Sequence, residues 1–493
     1  MVTDDITQTI ICTIIDWRIV SGHVEYQISC QRALADQKWT IRRRYRDFFV
    51  LNDKIRFFGL DLSLPPKKRF GNLKTDFIEE RKAGLQVFLD KITVHPLLYC
   101  SGLVYSFFTT NGEAAIKEIY QYSMLPLRNY RNYVLGEKFP DLGWRFCKIF
   151  SNVFHMSTRK QEIYIWMSYG SDCCCSPDEI SLILQFLKSL HCPYLSESHL
   201  TFADQNGIGV VKDLWANGSL RDQLYRVIDG GLAGKVTLYN FQKHPSGEFW
   251  AKYGMDNECF VLNPVDVRFI ARQILEALFV LNSIAYPFCK VTTARDIFIT
   301  CVLVFVHCGN IHVTNIGCEI ADFEFALTGQ SCFNRPSMIR AKHINTIEDM
   351  MVYNFGQLLY EMVSGVLVFP DHSAHQAIDS LPQEFQPMLR SIFLPESKLP
   401  SLAELISNNI FAEIPIIRMT QRSIQIPGPV KKSLEKLSSN ILNRFLSDRT
   451  TFNEKQKQEH LEELMHCDFE RRRRKELVLA QLKNLAVQVS STS

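Results

Sequence analysis

Alternating hydrophobic and polar residues mark the start of the chain. The runs ITQTIICTIIDWRI, HVEYQISCQRA and KWTIRRRYR combine a two-residue period with many β-branched and aromatic residues, which is typical of strands. Ser21 and Gly22, both turn-forming residues, separate the first run from the second. The pattern predicts a three-stranded antiparallel meander.

The pattern then changes to a helical one. The segment DFFVLNDKIRFF is followed by a break at GLDLSLPPKKRFGN and by DFIEERKAGLQVFLDKI. In that last segment apolar residues recur on one predicted helical face. They are Phe77, Leu85, Phe88, Leu89 and Ile92. Residues 1–112 therefore predict an α+β domain with a small sheet and a helical subdomain, and residues 113–140 predict a helical connector without strong strands.

A second domain is predicted over residues 141–425. EIYIWMS at 162–168 has the composition of a strand, an amphipathic helix follows from Asp178, and residues beyond 220 are mostly helical in pattern. The sequence IPGPV at 426–430 interrupts that pattern. Residues 426–493 predict a charged helical tail with the basic cluster ERRRRKEL.

Composition limits the classes of function. The 493 residues carry a net charge of only +3, so any basic binding surface must be local. The 15 cysteines include no C-x-x-C pair, and we expect reduced thiols in the cytoplasm. The longest apolar run, at 297–306, is shorter than the roughly 18–20 residues that a membrane span needs.

Four arginines lie within five positions at the end of the third predicted strand. Arg42, Arg43, Arg44 and Arg46 would repel one another unless an anion lies among them. Guanidinium groups bind phosphate through paired, directional hydrogen bonds. Tyr45 adds a flat face suited to a sugar-like ring. For Arg42, Arg43 and Arg46, a solvated strand or helix face is the alternative interpretation.

Two further cations are placed to join this group. Lys67 follows the proline pair of LPPKK, which stiffens the loop. Arg81 lies in the first turns of the helix DFIEERKAGL, whose N-terminus favours an anion. A binding site for a phosphorylated ring follows from this arrangement.

The motifs RRYRDF, LPPKK and FIEERKAGLQVFL, in this order and spacing, resemble a PX (phox-homology) domain, the phosphoinositide-binding module of sorting nexins. The resemblance implies that Arg44 holds the 3-phosphate of phosphatidylinositol 3-phosphate and that Tyr45 packs under the inositol ring. It also implies that Lys67 reaches the 1-phosphate and that Arg81 bonds the ring hydroxyls.

The proline loop also predicts membrane contacts. Lys68 and Arg69 would attract anionic lipid, by about 1 kcal/mol each near such a surface. Phe70 and Leu73 would enter the membrane interface, although Phe70 could equally fold back onto the domain.

The second domain resembles a protein kinase in its structural framework. LKSLHCPYL, NGSLRDQLY, ARQILEALFVLNSIAYPF, ADFEFAL and VYNFGQLLYEMVSG follow one another in the kinase order. This resemblance implies a bilobal kinase-like fold.

The chemistry of phosphoryl transfer is not matched. It needs a glycine-rich loop, a strand lysine and a catalytic aspartate. Residues 144–168 contain no glycine, and EIYIWMS contains no lysine. In YPFCKVTTA, Lys290 stands at or beside the place of the catalytic aspartate and cannot accept a proton at neutral pH. We expect a pseudokinase without catalytic residues, a metal site or an ATP and magnesium cofactor.

Some kinase features remain. Asp322 survives in ADFE, followed by Glu324 in place of glycine, and Met351 stands where a helix aspartate is expected. Residues 295–308 resemble an insertion; without them Asn310 falls at the second metal-ligand position. Asp322 is either a residual magnesium ligand or a structural residue.

Together the two domains resemble the PX-domain serine/threonine-kinase-like family. This implies an adaptor for phosphatidylinositol 3-phosphate, peripheral on endosomal membranes, that binds protein cargo through the kinase-like domain. The competing hypothesis is an atypical kinase that uses Asp322 and a relocated base such as Asp296. For the tail cluster Arg471–Arg474 with Lys475, nucleic-acid or nuclear-import binding competes with a solvated helix face or a contact with acidic lipid. The second interpretation is preferred, so no nucleic-acid partner is expected. Actin binding is in doubt.

Overall fold

The structure is a computed structural model of the whole chain. It describes residues 5, 8–35, 37–55, 62–67, 73–94, 96–138, 147–214, 218–224, 262–283, 307–314, 317–332, 334–366, 373–419 and 425–458. By backbone contacts the chain divides into two compact units, Met1–Arg444 and Phe445–Ser493.

The predicted N-terminal meander is confirmed. Strands β1 (Ile10–Val20), β2 (His23–Arg32) and β3 (Lys38–Arg44) form an antiparallel sheet in that order. Ser21 and Gly22 both adopt a left-handed conformation, with φ of 47° and 76°. Positive φ at both central residues is what a two-residue hairpin needs to match the twist of its strands.

Helices cover this sheet. They are α1 (Tyr45–Ile55), α2 (Thr75–Val94), α3 (Pro96–Tyr99), α4 (Gly102–Phe108) and α5 (Gly112–Met124). The apolar face of α2 is buried in the core with the inner face of the sheet, as its periodicity predicts. Phe77 is half-buried at the margin of that face, whereas Leu85, Phe88, Leu89 and Ile92 are fully buried.

A five-stranded antiparallel sheet opens the second domain. Its strands are β4 (Tyr133–Lys138), β5 (Lys148–His155), β6 (Lys160–Ser168), β7 (Leu200–Ala203) and β8 (Gly207–Asp213), in the spatial order β4-β5-β6-β8-β7. Because β4 pairs with β5, the sheet begins before residue 141. The predicted connector 113–140 therefore includes the first strand of this sheet.

The remaining elements are mainly helical. They are α6 (Pro177–Lys188), α7 (Leu220–Leu224), α8 (Pro264–Ser283), α9 (Arg335–Arg340), α10 (Ile347–Ser364), α11 (Ala374–Asp379), α12 (Gln386–Phe393) and α13 (Leu402–Ile406), with the short hairpin β9 (Ile311–Thr314) and β10 (Gly317–Ile320). Helix α6 starts at a capping box in which Ser176 and Glu179 exchange hydrogen bonds. No helix among the described residues is both long and apolar enough to cross a bilayer.

The last described segment is helical over residues 428–458, which we label α14. The sequence predicts a charged helix, but only part of the surface of α14 is charged. Residues of its first half are buried, namely Val430, Leu434, Leu437, Ile441 and Leu442. The Lys436 ammonium group binds the Glu179 carboxylate at 3.1 Å. The basic cluster 470–477 lies outside the described residues.

Asp172, in the loop before α6, connects distant parts of the first unit. Its carboxylate pairs with Arg335 and with Arg444, each at 2.9 Å. The Ser331 hydroxyl group donates a hydrogen bond to Asp5, which precedes β1. All of these side chains except Arg444 are buried. The segment before β1, the segment before α9 and α14 are thus joined by hydrogen bonds and ion pairs.

Candidate functional site

The arginines at the end of β3 have different contacts and therefore different roles. Arg43 points to the C-terminal end of α4, where its guanidinium group donates to the carbonyl oxygens of Phe107 at 2.7 Å, Thr109 at 3.0 Å and Ser106 at 3.3 Å. Carbonyls at a helix end lack partners within the helix, so a cation there both pairs them and favours the helix dipole. Arg43 is a structural residue.

Arg42 and Arg44 differ in their partners. Arg42 donates to the side-chain oxygen of Gln27 on the adjacent strand at 2.6 Å. Arg44 is exposed, and its guanidinium group has no hydrogen bond or ion pair with any described residue. The backbone N–H of Arg44 donates to the Asp47 carboxylate at 2.7 Å, which fixes the start of α1. The fold therefore places Arg44 at a rigid strand-to-helix junction with its charge available to a ligand.

Tyr45, the next residue, is held from two sides. Its hydroxyl group donates to the carbonyl oxygen of Pro65 at 2.5 Å, and the Arg81 guanidinium carbon lies 4.3 Å from the centre of its ring. Arg81 also lies 4.3 Å from the ring of Phe77 and donates to the carbonyl oxygen of Pro66 at 3.2 Å. Tyr45, Arg81 and the proline loop thus form one contact group.

Arg81 is buried, and its Nε–H has no acceptor among the residues that the structure describes. A buried donor without an acceptor costs about 1–3 kcal/mol. Burial also raises the pKa of the neighbouring Tyr26 hydroxyl group to about 12, so that group stays neutral.

Lys67 is exposed, and its ammonium group lies 3.3 Å from the centre of the Phe49 ring on α1. A cation over an aromatic face is held weakly at an exposed site, by about 0.5–1 kcal/mol.

Of the predicted membrane contacts, Leu73 is exposed. Lys68, Arg69 and Phe70, the other predicted membrane contacts, lie outside the described residues.

In the second domain Asp322 is paired with a lysine. The ammonium group of Lys148 on β5 lies 2.5 Å from one carboxylate oxygen of Asp322, and both side chains are largely buried. The other oxygen of Asp322 has no partner among the described residues. Asp322 itself adopts a left-handed conformation with φ of 63°. Its charge is thus neutralised within the protein.

A second buried pair lies beside the first. Lys212 on β8 has no exposed surface and binds the Glu324 carboxylate at 2.8 Å. The Ser198 hydroxyl group donates to the same carboxylate, and Lys212 also donates to the carbonyl oxygen of Ser196 at 3.2 Å. Glu324 therefore has a specific partner, which explains how a charged residue is accommodated at a position predicted to need glycine.

Neither lysine was predicted from the sequence, because the kinase lysine was expected only in EIYIWMS, which forms β6. Lys148 and Lys212 lie on the strands on either side of β6, and both reach the ADFE segment. The first strand of the sheet, β4, contains Gly136, which precedes the glycine-free range 144–168.

The structure brings Asn310 and Asp322 close together in the backbone, because the N–H of Ala321 donates to the carbonyl oxygen of Asn310 at 2.8 Å. Both side chains are buried. Met351 is also buried, in α10. Lys290, Asp296 and most of the predicted insertion lie outside the described residues.

The N-terminal part of the chain is similar to known proteins. Residues 32–111 match the PX domain family. The chain carries a PX domain. Over 63 residues, 12% of this chain and 18% of the relative, it is 46% identical to human sorting nexin-16. The resemblance inferred from RRYRDF, LPPKK and FIEERKAGLQVFL is confirmed.

The similarity extends beyond the PX domain. The chain is 27% identical to the mouse PX domain-containing protein kinase-like protein over 453 residues, which cover 90% of this chain and 71% of that protein. It is 25% identical to the probable inactive serine/threonine-protein kinase slob1 of Dictyostelium discoideum over 54% of this chain and 43% of that one. The similarity to the mouse protein thus covers both the PX domain and the residues that follow it.

Proposed function

We propose that the protein is a phosphoinositide-binding adaptor that recognises phosphatidylinositol 3-phosphate on endosomal membranes. The observation that carries this proposal is the exposed Arg44 immediately before Tyr45, whose ring is fixed by Arg81 and by Pro65. Arg44 would pair with the 3-phosphate, and Tyr45 would support the inositol ring. Because the supporting residues are already held in place, little entropy is lost on binding.

Arg81 and Lys67 complete the proposed site. Arg81, whose guanidinium group lies against the Tyr45 ring, would donate to the ring hydroxyl groups of the lipid. Lys67 would leave the Phe49 ring, where it is weakly held, and bind the 1-phosphate. The loop carrying Lys68, Arg69 and Phe70, together with Leu73, would contact the surrounding lipid.

The kinase-like domain is proposed to bind protein cargo or trafficking partners rather than to transfer phosphate. The Lys148 pairing supports this, because a magnesium ion at Asp322 would have to compete with a buried ammonium group at 2.5 Å. Two residues along the chain, Glu324 is likewise paired with a fully buried lysine, Lys212. We propose that this domain works without ATP or magnesium.

The alternative, an atypical protein kinase, is favoured by one observation. Asn310 and Asp322 remain neighbours in the backbone, as two magnesium ligands would be. A thermal-shift titration of the full chain with ATP and magnesium separates the two functions. No shift supports the adaptor, whereas a shift that Asp322→Asn abolishes supports the kinase.

The lipid proposal is tested by flotation of the full chain with liposomes that contain phosphatidylinositol 3-phosphate. Arg44→Ala is expected to lose most of the binding, by at least tenfold, because it removes the phosphate contact. Arg42→Ala is the matched control, since it removes an equal charge two residues earlier from a side chain already bonded to Gln27. Equal loss in both variants would mean that only general charge attraction operates, and equal recruitment of Arg44→Ala and wild type would contradict the proposal.

A further inference from the structure

Two carboxylates face each other on the five-stranded sheet, at positions next in sequence to residues that contact Glu324. Glu162 on β6 and Asp213 on β8 are direct partners in the antiparallel register. Like charges at directly opposed positions repel and destabilise a pair of strands. A cation between them is therefore expected.

His199, immediately before β7, lies between the two. Its Nδ1 is 2.8 Å from a carboxylate oxygen of Glu162, and its Nε2 is 3.5 Å from a carboxylate oxygen of Asp213. The backbone N–H of His199 donates to the carbonyl oxygen of Val211 at 2.8 Å, which fixes the residue at the edge of β8. One ligand atom from each of the three side chains lies within 4.8 Å of the other two.

The second oxygen of Glu162 is the unusual feature. Glu162 is only 3% exposed, yet this oxygen accepts no hydrogen bond from any described residue. An ionised carboxylate oxygen buried without a partner carries a large desolvation cost. A cation beside it would remove that cost.

We propose that Glu162, His199 and Asp213 form a binding site for a zinc ion. An imidazole nitrogen with two carboxylate oxygens suits zinc, whereas magnesium and calcium prefer oxygen ligands alone. Zinc binds these atoms at about 2.0–2.2 Å and takes water as a fourth ligand when three come from the protein.

Lys160 competes for the same carboxylate. Its ammonium group lies 2.5 Å from Asp213, but 52% of its side chain is exposed, so it can turn into water when an ion binds.

The test is calorimetric titration of the chelator-treated full chain with zinc chloride alone, under reducing conditions. Because the cysteine thiols also bind zinc, the measured quantity is the difference between variants. We expect His199→Gln to bind one zinc equivalent fewer than wild type. His191→Gln, which changes an exposed histidine bonded only to a backbone carbonyl, is expected to match wild type.

Asp213→Asn is the second variant, since its half-exposed side chain makes misfolding a small risk. It is expected to weaken the same zinc equivalent at least tenfold. Equal stoichiometry and affinity in wild type, His199→Gln and Asp213→Asn would overturn the proposal. In that case the contacts that the structure shows, from His199 to Glu162 and from Lys160 to Asp213, hold the two carboxylates without a metal.

Discussion

The ammonium group of Lys148 lies 2.5 Å from a carboxylate oxygen of Asp322, on a strand adjacent to the one where a kinase lysine is expected. The pair joins the sheet of the kinase-like domain to the ADFE segment. Since the two side chains are at most 11% exposed, their attraction is little screened by solvent. Breaking the pair would leave one charge buried.

Lys148→Met is expected to destabilise the kinase-like domain by about 3–5 kcal/mol, because it leaves Asp322 charged, buried and without its cation. Differential scanning calorimetry of the full chain measures the loss. Lys160→Met removes an exposed lysine from a surface pair on the same sheet and is expected to have little effect.

The double variant Lys148→Met with Asp322→Asn separates lost charge balance from lost packing. Asn tolerates the left-handed backbone of residue 322, so it introduces no strain. The double variant is expected to recover much of the stability. If Lys148→Met were as stable as Lys160→Met, the pair would have no structural role.

His312 predicts a pH dependence of stability. Burial lowers the pKa of its imidazole from 6.5 to about 4, and its Nδ1 lies 3.1 Å from the carbonyl oxygen of Gly218. The unfolded chain binds a proton below pH 6.5, whereas the folded chain does not until about pH 4. The stabilisation of the folded state by the neutral imidazole is complete above pH 6.5. It is lost as pH falls from 6.5 towards about 4, by about 1.4 kcal/mol per pH unit.

His312→Asn keeps a donor for Gly218 but cannot titrate, so its melting temperature is expected to fall less than that of wild type over this range. His375→Asn changes an exposed histidine and serves as the control. Parallel curves for wild type and His312→Asn would show that His312 does not titrate as its burial requires.

Arg43→Ala and Arg44→Ala are expected to lower different quantities, the stability of the PX domain and its lipid affinity respectively. Arg43 bonds three carbonyl oxygens at the end of α4, so its removal is expected to cost about 2 kcal/mol of PX domain stability with little change in lipid affinity. Arg44→Ala is expected to retain stability and lose lipid binding. Melting curves and liposome flotation on the same samples provide both quantities. A lipid defect in Arg43→Ala at a temperature where it is fully folded would argue against this division.

Gly84 keeps α2 close to the proline loop. A Cβ atom at this position would lie 2.5 Å from the Pro65 ring, which is closer than such atoms approach. Gly84→Ala is therefore expected to displace the loop that carries Lys67 and to lower lipid affinity several-fold, despite the better helix propensity of alanine. Val87→Ala, at an exposed position on the same helix, is the control. Wild-type lipid affinity in Gly84→Ala would mean that the loop adjusts without moving its lysine.

Local sequence patterns were sufficient to predict the main elements of the N-terminal domain. Strand alternation, the turn at Ser21 and Gly22, and the helical face of α2 depend on neighbours within a few positions, so the sequence by itself determined these elements. The three ordered motifs also identified the PX domain. By contrast, the start of the five-stranded sheet was placed too late, because β4 gains its strand character from pairing with β5.

Tertiary structure decided which charges have partners. Adjacent arginines with the same local sequence signal separate into a helix cap at Arg43 and an exposed cation at Arg44, because only one lies near the end of α4. Lys148 meets Asp322 across 174 positions of the chain, and His199 meets Glu162 across 37. No periodicity or motif spacing encodes such contacts, since ion pairs depend on distance in space and on the burial that strengthens them.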